Sequence, residues 1–220
     1  MADVLVVCLN PALDLSIALD TLRPGTVHRA QASMMRPAGK ANNVARILAG
    51  LDHRVTVTGF LGADNAALFE AAFAEWGVTD ACIRLAGATR TNVKLAETGG
   101  RMSDINTPGL VVDAAAWQQL GRIIEQAGSA QPAAVVIAGS LPPGIRPQQL
   151  TELILACHTA DVPVWLDASG DALVHGLAAT PACAKPNLEE LEAWAGRALD
   201  DDADRIAVLL ELLARGVGRV

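Results

Sequence analysis

The chain has 220 residues, 51% apolar and 19% charged, which excludes a disordered or collagen-like polymer and leaves a globular protein with material for a sizeable core. With 3 Phe, 4 Trp and no Tyr, that core must be built mostly from Ala, Val and Leu. The formal charge is −7, from 17 Lys and Arg against 24 Asp and Glu, and no basic run exists to neutralise a series of phosphates. Nucleic-acid binding is therefore not expected, whereas a small anion held by a few local cations is compatible with the balance.

Residues 4–9 are short, apolar and Val-rich, the pattern of a strand covered on both faces. Polar and apolar residues then alternate over residues 15–36, with a turn signal at Pro24-Gly25. Ala41, Val44, Ala45, Leu48 and Leu51 recur at helical spacing, and Arg54 to Gly59 reads as another buried strand. Leu68, Phe69, Ala72, Phe73 and Trp76 form a second helical stripe, closed by Gly77 as a C-cap. Residues 89–106 alternate again, as in Asn92-Val-Lys-Leu-Ala-Glu97, with a turn at Gly99-Gly100.

From an Asp113 N-cap a helix runs through Trp117, Leu120, Ile123, Ile124 and Ala127 to Gly128. A strand over residues 133–138 follows, then a helix with Pro147 in its first turn and Leu150, Leu153, Ile154 and Cys157 on one face. A strand over residues 162–166 and a helix carrying Ile206, Leu209, Leu210 and Leu213, ending at Gly216, complete the pattern. Alternating strands and helices predict an α/β chain with a mostly parallel sheet and helices on both faces. The two alternating stretches predict strands with one wet face, a small sheet standing off the main one as a lid over a ligand cleft. With no repeat or linker, residues 1–220 read as one unit with the lid segments interleaved.

Cys8, Cys82, Cys157 and Cys183 stand far apart, without a C-x-x-C pair or a His at ligand spacing, and read as core residues in a reducing compartment. Acid precedes the first apolar run where a secretory signal would carry base, and no apolar run approaches the roughly 20 residues that cross a bilayer. A cytoplasmic location and no membrane partner are expected.

Ligands of an open parallel sheet collect beyond the carboxyl ends of its strands, and five polar clusters fall at such places or in the lid. Asn10-Pro-Ala-Leu-Asp14 follows the first strand but offers no glycine before Gly25, which disfavours a dinucleotide fingerprint; Asp14 is either a sugar-hydroxyl acceptor or a turn acid. Pro37-Ala-Gly-Lys-Ala-Asn-Asn43 opens a helix but has Met34 and Ala41 where a phosphate loop needs Gly and Ser or Thr. It reads either as a ligand-facing Gly39 and Lys40 with Asn43, or as a capped helix start. Arg90 and Lys94 in Thr89-Arg-Thr-Asn-Val-Lys94 suit a phosphate clamp or a solvated strand face, and Lys94 fits the second better. Ala138-Gly-Ser-Leu-Pro-Pro-Gly144 offers Ser140 and free backbone N–H groups, or makes a turn. Asn187 and Glu190 have capping-box spacing, which is compatible with a role for Glu190 near a hydrated magnesium ion. His28, His53, His158 and His175 share no motif with a nucleophile.

In order and spacing these clusters are specific. Leu9-Asn-Pro-Ala-Leu-Asp14, Gly39-Lys-Ala-Asn-Asn-Val-Ala45, Gly59-Phe-Leu-Gly62, Thr89-Arg-Thr-Asn-Val-Lys-Leu95, Gly139-Ser-Leu-Pro-Pro-Gly144, Leu166-Asp-Ala-Ser169 and Lys185-Pro-Asn-Leu-Glu-Glu190 run the length of the chain. The sequence resembles the ribokinase-like carbohydrate kinases of the PfkB family, and within it the members that phosphorylate fructose 1-phosphate. Tagatose 6-phosphate and fructose 6-phosphate are the alternative acceptors, and a non-catalytic sugar-phosphate binder is the alternative class.

The resemblance implies a three-layer α/β/α fold with a β-sheet lid, and ATP with Mg²⁺ as cofactors. It implies Asp14, Gly39 and Asn43 at the sugar hydroxyls with Lys40 beside them, and Arg90 with help from Arg29 at the existing phosphate. Ser140 would line the sugar site, Lys185 and Asn187 would reach the nucleotide phosphates, and Glu190 would help place magnesium through water. A homodimer through the lid is also implied. Two departures stand out: Ala38 and Ala41 occupy positions where the family commonly has glycine. The larger one is that the Gly-Ala-Gly-Asp motif with the catalytic Asp, expected beyond Val220, is not among the 220 residues. The expectation is an incomplete kinase domain that binds sugar phosphate weakly and does not turn over, with a bared sheet edge and a broad unfolding transition.

Overall fold

The computed structural model describes residues 1–220. The chain forms β1 (Asp3–Cys8), β2 (Ala12–Leu19), β3 (Ala32–Ala38), α1 (Lys40–Gly50), β4 (Arg54–Gly62) and α2 (Ala66–Trp76). β5 (Thr79–Leu85), β6 (Thr91–Glu97), β7 (Met102–Ile105), α3 (Ala114–Ser129), β8 (Ala134–Gly139) and α4 (Pro147–Thr159) follow. The last elements are β9 (Val164–Ala168), α5 (Asp171–Ala178), β10 (Cys183–Ala184), α6 (Leu188–Ala195) and α7 (Asp202–Ala214).

The main sheet has the order β10-β9-β8-β1-β4-β5, and every pair in it is parallel. Its strands are read on both faces, as the continuous apolar runs require. Val4, Val6 and Cys8 of β1 join one core with Ala41 and Ala45 of α1 and Phe69 and Phe73 of α2. Leu5, Val7 and Leu9 join the other, with Leu120 of α3, Leu150 and Ile154 of α4, Leu173 of α5, Leu191 of α6 and Leu212 of α7. The result is a three-layer α/β/α body, which bears out the fold read from the alternation of elements.

Helix ends follow their local chemistry. Asp113 accepts from the Ala116 N–H at 2.8 Å, and Gly77 closes α2 in the left-handed region at φ 68°. Sequence patterning missed β5, a polar edge strand, the two-residue β10, and the short α5.

A second sheet of order β3-β2-β6-β7 stands apart from the first, its β2–β6 pair parallel and the flanking pairs antiparallel. Its turns use Gly25 and Gly100, both at positive φ. Asp14, which the sequence leaves open between a sugar-hydroxyl acceptor and a turn acid, lies within β2 and not in a turn. Glu97, at the end of β6, is buried, accepts from the Leu22 N–H at 2.9 Å and pairs with Arg101. No helix is long and apolar enough to cross a membrane.

Candidate active site

Strand order reverses around β1: the chain moves to β4 and β5 on one side and returns to β8, β9 and β10 on the other. The carboxyl end of β1 is therefore the crevice where ligands of open parallel sheets collect. From it the chain passes through Asn10 and Pro11 directly into the second sheet.

Lys40 opens α1 immediately after Gly39, whose φ of 105° suits glycine and not an L side chain. Ala38 and Ala41 both lie outside the positive-φ region and are buried, so the two departures from the family's glycines carry no backbone strain. Lys40 Nζ lies 2.9 Å from Asp167 Oδ1 and 3.5 Å from Glu190 Oε1. The second oxygen of Asp167 lies 3.3 Å from Lys185 Nζ. Burial opposes the charge on Lys40, but the Asp167 and Glu190 carboxylates outweigh it and raise its pKa. Glu190 is fixed by the reciprocal capping box: its N–H donates to Asn187 Oδ1 and its Oε2 accepts from the Asn187 N–H, both at 2.9 Å. Lys40, Lys185, Asn187 and Glu190 thus meet in one cluster. Asp167 holds it together; it stands in the Leu166-Asp-Ala-Ser169 stretch that carries the resemblance, which by itself assigned it no role.

A second group surrounds Asn10. Its amide donates to Ser140 Oγ at 3.0 Å and to the Leu141 carbonyl at 3.2 Å. Arg90 donates to the carbonyls of Asn10, Pro11 and Thr107 at 3.1, 3.2 and 3.1 Å, so three of its five N–H donors latch the backbone and two remain. Its own position is set by Thr89, which is buried, accepts from the Gly62 N–H at 2.8 Å and exchanges two bonds with Asn65. A Cβ on Gly62 would stand 2.2 Å from the Thr89 nitrogen, so only glycine permits this approach. Burial lowers the Arg90 pKa. Arg29 stands in the exposed β2–β3 connection, with no carboxylate within 4.0 Å. That connection has no buried residue between Asp20 and Gln31 to fold it toward the crevice.

The third group faces the body from the second sheet. Asp14 Oδ1 lies 3.5 Å from the Asn92 amide nitrogen, and Asp14 Oδ2 lies 3.6 Å from Lys94 Nζ, which also reaches Asp104 at 3.4 Å. Lys94 is therefore not a free solvated strand residue: the parallel β2–β6 register sets it opposite Ser16 and beside Asp14. Asp14 and Asn43 line one cavity of about 620 Å³ between the second sheet, α1 and α2. Asn42, next to Asn43, is instead buried and donates to the Ala38 carbonyl at 2.8 Å.

No cluster of three or more His, Cys, Asp or Glu side chains is arranged to cage a metal. The cysteines are free: burial pushes the Cys8 thiol up to about 12 and the Cys157 thiol up to about 11.

Residues 4–220 match the pfkB family carbohydrate kinases. The chain is 42% identical over 217 residues to the 1-phosphofructokinase of Vibrio cholerae, covering 99% of this chain and 68% of that protein. It is 43% identical over 219 residues to the 1-phosphofructokinase of Xanthomonas campestris, covering 97% and 68%. Among solved structures, phosphofructokinase-2 of Escherichia coli in complex with fructose-6-phosphate superposes with a TM-score of 0.89 at 28% identity, covering 99% of this chain and 72% of that one.

Proposed function

Because this chain belongs to the pfkB family of carbohydrate kinases, we propose that it serves the ATP-dependent phosphorylation of fructose 1-phosphate to fructose 1,6-bisphosphate in the cytoplasm. One observation carries this reading: Lys40, Lys185 and Glu190 converge on Asp167 at the end of the main sheet, while Asp14 and Asn43 line a cavity under the second sheet. The first group suits nucleotide phosphates and the second suits sugar hydroxyls.

In the transfer, the bond between the γ-phosphorus and the ADP oxygen breaks, a bond to the sugar oxygen forms, and the hydroxyl proton passes to a base. Catalysis of such a step is positioning plus neutralisation of charge on the moving group. Asp14 and Asn43 orient the acceptor, with Asn92 and Lys94 holding the Asp14 carboxylate. Lys40 and Lys185 supply positive charge, and Asp167 keeps both at one place. Ser140, tied to Asn10, and the two free donors of Arg90 line the crevice between the groups.

Magnesium fits the donor set, since this ion keeps much of its water and takes only one or two carboxylates beside the phosphates. Glu190 and Asp167 would face it through water, and when bound it would neutralise phosphate charge. The exposed Met35 and Ile105, on the face of the second sheet turned away from the cavity, are compatible with pairing of two copies there.

None of the gathered residues takes the role of base, and the Gly-Ala-Gly-Asp motif is not among the 220 residues. The expected outcome for the 220-residue chain is calorimetric binding of fructose 1-phosphate in preference to fructose 6-phosphate and tagatose 6-phosphate, with no turnover in a coupled ADP assay. Absence of any sugar-phosphate binding would sink the reading, and turnover at rates typical of a kinase would sink its catalytic part.

A further inference from the structure

Asn42 Oδ1 is the one buried side-chain polar atom in the molecule without a hydrogen-bond partner. The residue is 1% exposed, and Ala41 and Ala45 beside it on α1 belong to the core against the main sheet. A buried acceptor left unpaired costs free energy that an apolar side chain of similar size would not. A residue that breaks this local rule needs a compensating role, and its other amide atom supplies one.

That atom, Nδ2, donates to the Ala38 carbonyl at 2.8 Å, the only side-chain hydrogen bond between β3 and α1. Ala38 closes β3 and is paired with Ala12 of β2, so it belongs to the second sheet, whereas Asn42 lies in the first turn of α1 on the body. Between them stands Gly39 at φ 105°, a residue with little conformational restraint of its own. A Cβ on Gly39 would lie 3.6 Å from Pro11 Cα and 3.9 Å from Asn42 Nδ2, so its backbone runs between the β1–β2 connection and the amide. The Gly39 carbonyl accepts from the Asn43 N–H at 3.1 Å, and Asn43 lines the cavity it shares with Asp14. Successive residues thus divide the work: the amide of Asn42 is buried and fixes the turn, and Asn43 faces the cavity.

We propose that Asn42 is a positioning residue for the sugar acceptor: its amide bridges Gly39, holds the end of β3 against the start of α1, and so sets Asn43 opposite Asp14 across the cavity. This inference rests on the sugar-phosphate reading above and deepens it, since Asn42 itself is buried away from any ligand.

The test compares Asn42→Thr with Asn42→Val, side chains of one shape that differ by a hydroxyl. On a helix a Thr hydroxyl can donate to the carbonyl four residues back, here that of Ala38, and Val cannot. Binding of fructose 1-phosphate is followed by chemical-shift titration of the 220-residue chain, and stability by urea unfolding. Asn42→Val is expected to weaken fructose 1-phosphate about 5- to 10-fold, the size of one hydrogen bond, with a urea midpoint close to wild type because the unpaired acceptor is removed with the bond. Asn42→Thr is expected to bind within about 2-fold of wild type. In the unliganded chain the Asn43 amide should exchange faster in Asn42→Val than in Asn42→Thr. Equal affinities or equal Asn43 exchange in the two variants, tighter binding by Asn42→Val, or an Asn42→Val chain that fails to fold overturns this inference alone. A wild-type chain that binds no sugar phosphate overturns the sugar-phosphate reading and this inference with it.

Discussion

The two sheets are stabilised by different physics. Along β1 successive side chains enter two separate cores, and Val6 and Val7 are both 0% exposed. Along β2, by contrast, Asp14, Leu15, Ser16 and Ile17 are only half-buried, and the sheet is tied by polar contacts such as Glu97 with Arg101 and Lys94 with Asp104. Burial of large apolar side chains outweighs exposed ion pairs by several-fold per residue. The main sheet therefore carries the stability, and the second sheet is free to carry polar residues on the face turned to the crevice.

The largest test of this contrast is a pair of truncations. Phe69→Ala, in the core under α2, is expected to cost about 3–5 kcal/mol, whereas Leu15→Ala in the second sheet should cost below about 1.5 kcal/mol. Urea unfolding of both variants measures the gap, and equal losses would show that the second sheet shares in the core.

Next in size is a site variant. Lys40→Met removes a cation whose side chain is 42% exposed, so its two ion pairs contribute under about 1 kcal/mol to stability. The same change is expected to weaken ATP about 10-fold or more in a calorimetric titration, because a charge-assisted phosphate contact is lost. A large drop in stability with ATP binding unaltered would instead make Lys40 a structural residue.

The smallest effect concerns pH. Arg101 and the Leu22 N–H hold Glu97 down to about 2, from an ordinary value of 4.5. A depressed carboxylate pKa contributes stability that is present above 4.5 and lost as pH falls toward 2. Amides of β6 and β7 should then lose hydrogen-exchange protection across that window before those of β1 and β4, and simultaneous loss would erase the distinction.

Period and punctuation made four strands of the main sheet (β1, β4, β8 and β9), the two caps at Asp113 and Asn187 and the two wet-faced segments legible, because each depends on neighbours within a few residues. β5 escaped because Asp80 and Arg84 interrupt its apolar pattern, and their i,i+4 ion pair is a spacing that a helix would also satisfy. Asp167 escaped for a longer-range reason: its two lysines lie 127 residues before it and 18 after it, at positions 40 and 185. Lys94 acquires its place beside Asp14 only through the register of the second sheet, which no local spacing encodes.

The carboxylate shared by Lys40 and Lys185 also has a consequence for the order in which the protein is made. A nascent chain that has emerged through β8 already holds Asp14 and Asn43, yet Lys40 still lacks its counter-ion. Only when β9 and β10 dock, closing contacts of long sequence separation that form late, does the cation become anchored. The sugar side can thus mature during synthesis, and the phosphate-facing side records that the later strands have joined.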